Sequence, residues 1–104
     1  MSDESQLLIP PSFVALFVPP GRLKPTAPRA EIAARYEFCE DLATLLVERA
    51  TTLRWQLGVT EGDVLERIGR GLAGGASGVD AGEAGWVLRR LAELAGWDWQ
   101  AAPG

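Results

Sequence analysis

Ile32, Tyr36, Cys39, Ala43, Leu46, Ala50, Leu53 and Leu57 follow one another at alternating steps of four and three residues. That rhythm puts all of them on one stripe of an α-helix, and a strand, whose side chains alternate with a period of two, does not reproduce it. At 1.5 Å per residue a helix over about residues 27–57 is roughly 45 Å long. A chain of 104 residues is expected to have a radius of gyration of about 13 Å. Other segments must therefore lie along most of this helix, and the composition, 47% hydrophobic and 23% charged, suits one modest core.

Two shorter helices are legible beyond it. Gly58 supplies a left-handed residue to close the long helix, and Thr60-Glu61-Gly62-Asp63 resembles a capping box with Asp in place of Glu. Val64, Leu65, Ile68 and Leu72 then form an apolar face, with Asp63 and Arg67 able to pair one turn apart. Gly74-Gly75-Ala76-Ser77-Gly78 interrupts the pattern, and Val79-Asp80-Ala81-Gly82-Glu83 restarts it with a second capping arrangement. The inner positions of this last helix are Ala84, Val87, Leu88, Leu91, Leu94 and Ala95, and Gly96 ends it. The two helix starts look alike because both meet the same capping demand, which is a simpler account than an internal repeat.

Ahead of the long helix, Pro10 and Pro11 stop any earlier structure, and Ser12 can cap a short helix from Phe13 to Val18 with Phe13 and Phe17 on one face. A buried edge strand is the rival reading, since periodicity does not separate two short apolar forms. Residues 19–28, which carry Pro19, Pro20, Pro25 and Pro28, read as a stiff connector. Arg22-x-x-Pro25-x-x-Pro28 also fits a polyproline ligand, a short pattern that arises often by chance. The expected architecture is all-α: a small helical bundle with one long helix, two shorter helices packed on it and a short N-terminal helix. It occupies a single domain over residues 9–99, with disordered ends at 1–8 and 100–104.

Several function classes lose their chemistry at this stage. The net charge of -4 provides no cationic surface to displace counterions, so nucleic acid is not an expected partner and a helix-turn-helix reading ranks last. The chain has no histidine, which removes Ser-His and Cys-His nucleophile activation and the commonest transition-metal ligand. Cys39 falls on the apolar stripe, where cysteine behaves as a small hydrophobe. Glu37, Glu40 and Asp41 form the densest carboxylate group, but Glu37 and Asp41 fall on the outer face of a helix. The glycine-rich run at residues 69–75 lacks the Gly-Lys-Ser/Thr that cradles nucleotide phosphate. No cofactor, metal or catalytic residue is therefore assigned. A single cysteine and the lack of a long apolar run make the cytoplasm the expected compartment, with no membrane partner.

The tryptophans are the residues this pattern leaves over. Trp55 and Trp86 fall off the apolar stripes of their helices, Arg90 lies one turn after Trp86 with Arg89 beside it, and Trp97 and Trp99 follow the last helix. Tryptophan together with arginine has the composition of an interface hot spot. Trp55, Trp86, Arg89, Arg90 and Trp97 are the candidate partner-binding residues, unless the chain ends fold over the rings. The leading expectation is a non-enzymatic protein-interaction or adaptor module, self-association into a homodimer being one form of it. The alternative is a small-molecule-binding or minor enzymatic domain with a pocket near Tyr36, Cys39 and the tryptophans.

Four stretches carry a family likeness: residues 9–16 (IPPSFVAL), 35–43 (RYEFCEDLA), 63–67 (DVLER) and 85–92 (GWVLRRLA). Over about residues 9–97 the chain resembles a family of short proteobacterial proteins sometimes labelled "ATPase with chaperone activity". The only lysine, Lys24, lies in the proline connector and not in a phosphate loop. What the resemblance implies for these residues is an accessory or adaptor role beside a chaperone machine.

Overall fold

The computed structural model describes residues 8–98, and the expectations for the remaining ends, Trp99 among them, lie outside the described residues. The fold is all-α, with no strand among the described residues. In chain order the helices are α1 (Pro11–Val14), continued by a 3₁₀ turn at Ala15–Phe17, α2 (Arg29–Leu57), α3 (Glu61–Ala73) and α4 (Ala81–Ala95). The chain divides into two compact units, Met1–Phe38 and Cys39–Gly104, and the division falls within α2.

In the first unit the segment from Phe13 to Phe17 is helical, as favoured over the strand, but Val18 is extended and the start differs from expectation. Pro10 is the capping residue and Pro11 opens the helix, with no side chain bonded to the free amides. Proline at the first helical position has no N–H to satisfy and a preset φ, so Ser12 is not needed as a cap. Phe13 is fully buried, its ring 5.7 Å from Phe17 and 5.7 Å from Tyr36 on α2. The connector folds back on this element and does not run as an extended polyproline strand. The Arg22 amide donates to the Pro19 carbonyl at 3.0 Å, and the Thr26 amide to the Phe17 carbonyl at 2.8 Å. The Thr26 hydroxyl donates to the same oxygen at 3.1 Å.

In the second unit the part of α2 from Cys39 onward packs beside α3 and α4. Its buried positions, Cys39, Ala43 and Ala50, are small, so neighbouring helices can approach closely. Gly58 and Gly96 take positive φ values of 65° and 74°, closing α2 and α4 as the sequence led us to expect. The Thr60 side chain accepts from the Asp63 amide at 3.1 Å to start α3, while the Asp63 carboxylate binds Arg67 at 3.0 Å instead of completing the box. Asp80 and Glu83 make a full capping box for α4, with bonds of 2.8 and 3.1 Å. All four anticipated residues of α3, Val64, Leu65, Ile68 and Leu72, are buried.

Helix α4 departs from its expected face. Ala84, Val87 and Leu91 are buried as anticipated, but so are Glu83, Trp86 and Ala92, which occupy other sides of the helix. Leu94, taken as an inner residue, is 39% exposed. Small residues allow neighbours to close on more than one side, and at Gly69 of α3 a Cβ would sit 2.9 Å from Leu88 Cδ1. A single 3.6-residue stripe describes a helix lying on a surface, whereas the buried residues of α4 cover more than one such stripe, with Arg89, Glu93 and Leu94 left exposed.

Candidate interaction surface

The candidate residues Trp55, Trp86, Arg89, Arg90 and Trp97 all fall in the second unit, and the structure separates their roles. Trp55, in the last turn of α2, is 82% exposed. Trp86 is buried at 5% exposure, so its expected place in a surface patch is corrected: it belongs to the interior, because α4 is enclosed on the side its ring occupies. Trp97 is half-buried after Gly96, with its amide bonded to the Ala92 carbonyl at 2.8 Å. Arg89 is exposed on α4.

Arg90 is bound across helices. Its Nε donates to Glu40 Oε1 at 2.8 Å and its Nη2 to Glu40 Oε2 at 2.9 Å, a two-pronged bond that joins α4 to α2. A third donor, Nη1, reaches Glu93 at 3.1 Å. The Glu40 hydrogen bonds, then those to Glu93, hold the guanidinium pKa above its ordinary value. The fork geometry fixes register between the helices more than it offers a hot spot to a partner. Glu40, read in the sequence only as a member of a carboxylate group, is thus a structural partner at a separation of 50 residues. A 3.6-residue pattern holds no signal for such a pairing.

Cys39 is fully buried, which removes the thiol from any surface pocket of the kind considered with Tyr36. Among the described residues no group of three or more metal-ligating side chains comes together, and no helix is long and apolar enough to cross a membrane.

The surface of the second unit also carries exposed large apolar side chains. Leu45 is 74% exposed, Leu57 47% and Trp55 82%. At 3.6 residues per turn, Leu45 and Trp55 lie about 80° apart around α2, on its outward side. Trp55 also lines a shallow hollow with Arg54, Gly58 and Val59. Sequence reasoning singled out Trp55 and passed over Leu45, although Leu45 also stands off the apolar stripe that holds its neighbour Leu46.

A second feature lies between α2 and α3. Leu46, Leu53 and Leu57 on one bank and Ile68, Gly71 and Leu72 on the other form a groove of about 360 Å³, with Arg49 and Arg67 on opposite banks. Gly71 has no atom within 4 Å of where a Cβ would stand, so the groove is open above it. Comparison with protein-family models, with curated proteins and with solved structures finds no match.

Proposed function

We propose that this chain is a protein-interaction module whose contact surface is the outward side of the last turns of α2. The observation that carries this reading is the exposure of Trp55, 82%, together with that of Leu45, 74%, on the same side of one helix. Covering a large apolar side chain contributes about 1.5 to 3 kcal/mol, and an exposed tryptophan with an arginine neighbour has the make-up of a binding anchor. Arg54 stands beside Trp55, and among the described residues its ion pair is a long one, 3.9 Å, to Glu61. A component of a chaperone machine is the kind of partner that the family likeness of residues 9–97 suggests, the chain then acting as an adaptor.

Site-specific photo-crosslinking in the host tests the reading. With a crosslinking side chain at position 55, a discrete heavier adduct is expected, and none with the same group at Glu66, an exposed position on α3. An adduct of twice the chain mass would identify the homodimeric form. Identical smears from both positions, or no adduct from either, would overturn the proposal.

A further inference from the structure

We infer that the groove between α2 and α3 is a seat for an acidic amphipathic helix of a partner protein. The inference rests on the reading of the chain as an interaction module, and assigns that module a second, chemically distinct contact. The two helices are joined by the short Gly58–Thr60 turn and line one furrow together, and a third helix is an element that fills such a furrow. The leucine bank runs from Leu46 to Leu57, which at 1.5 Å per residue is about 16 Å, or three turns of a docked helix. The floor is closed by Ile68 and Leu72, 8% and 5% exposed, so the occupant's apolar edge would meet a dry surface.

Charge decides the chemistry of the occupant. The chain as a whole carries -4, yet the charged residues lining this groove are Arg49 and Arg67, one on each bank. Asp63 holds Arg67 Nε at 3.0 Å, fixing that side chain at the rim and offsetting part of its charge. The ion pairs among the described residues of the second unit involve Arg54, Arg67 and Arg90, not Arg49. A helix with a leucine edge flanked by glutamates on both sides would place opposite charge against both banks. A basic helix of the same apolar edge would meet two guanidiniums and be rejected.

Gly71 provides a clean separation of fold from binding. Open space surrounds its Cβ position, and leucine has a higher helix propensity than glycine, so Gly71→Leu is expected to keep the fold while filling the groove. The test is fluorescence anisotropy of the full chain with a capped synthetic peptide of about fourteen residues, leucines along one edge and glutamates beside it. Its counterpart carries lysines in place of the glutamates, and dodecanoate serves as a competing small amphiphile. The glutamate peptide is expected to bind at least about tenfold more tightly than the lysine peptide. Gly71→Leu should weaken it at least about tenfold with an undiminished helical spectrum and a melting temperature no lower than the parent's, and Arg49→Glu should reverse the preference.

Equal binding of both peptides, no binding, or binding indifferent to Gly71→Leu would overturn the inference, as would displacement by dodecanoate at equal concentration. Loss of the position-55 adduct with peptide binding intact would instead overturn the Trp55 surface alone, so the two readings fail separately.

Discussion

Between Cys39 and Gly104 two helices handle their apolar residues in opposite ways. From Cys39 onward, α2 buries small residues, Cys39, Ala43 and Ala50, and leaves Leu45, Trp55 and Leu57 exposed. Helix α4 buries Trp86, Val87 and Leu91 and also the Glu83 of its own cap. The longer and more regular helix is therefore the one that presents surface, and the shorter one carries more of the interior. Regularity of pattern and depth of burial are separate properties: the first depends on spacing along the chain, the second on how many neighbours surround a helix.

The two tryptophans give the sharpest contrast. Trp86→Ala removes a large ring from the interior of the second unit and is expected to cost about 4 kcal/mol, read from chemical denaturation. Trp55→Ala should change stability by no more than about 0.5 kcal/mol, and a larger loss would show that α2 is not the open side. The replacement of Trp55 should also shift the protein's mean fluorescence emission to shorter wavelength, since Trp55 is the most exposed of the described tryptophans. Comparable losses from both substitutions would break the contrast between the helices.

Smaller effects sharpen it. Asp80→Ala removes the acceptor of the Glu83 amide and half of the capping box, with an expected loss of about 1 to 2 kcal/mol and faster amide exchange in the first turn of α4. Arg90→Met keeps much of the aliphatic stem but leaves Glu40 without its two-pronged partner. A loss of about 1 kcal/mol is expected for this partly exposed pair. Glu40→Gln in that background should then cost little more, because a double-mutant cycle assigns the shared part to the pair. Leu45→Ser comes last, within about 0.5 kcal/mol of the parent, as a residue 74% exposed should be.

Much of the helical framework was legible in local chemistry. The run of α2, the buried face of α3, the caps at Thr60 and Asp80, and the closing glycines 58 and 96 all follow from interactions within about four residues along the chain. Of the candidate surface residues, Trp55 proved exposed and Trp86 proved internal, although both stand off the apolar stripes of their helices. Local spacing could not separate them, because whether a side chain off the stripe meets solvent depends on a second neighbour that the helix's own sequence does not specify. The Arg90–Glu40 bond and the groove with Arg49 and Arg67 were missed for the same reason.

By itself the sequence determined that this chain is helical, where α3 and α4 begin and end, and which stripe of α3 turns inward, because hydrogen bonding and side-chain periodicity act over a few residues. Only the tertiary structure decided that α4 is enclosed on several sides, that Arg90 joins it to α2, and that Leu45 and Trp55 stay outside. These depend on which helices meet and how closely, which small residues such as Ala43, Ala50 and Gly69 permit without announcing in any local pattern.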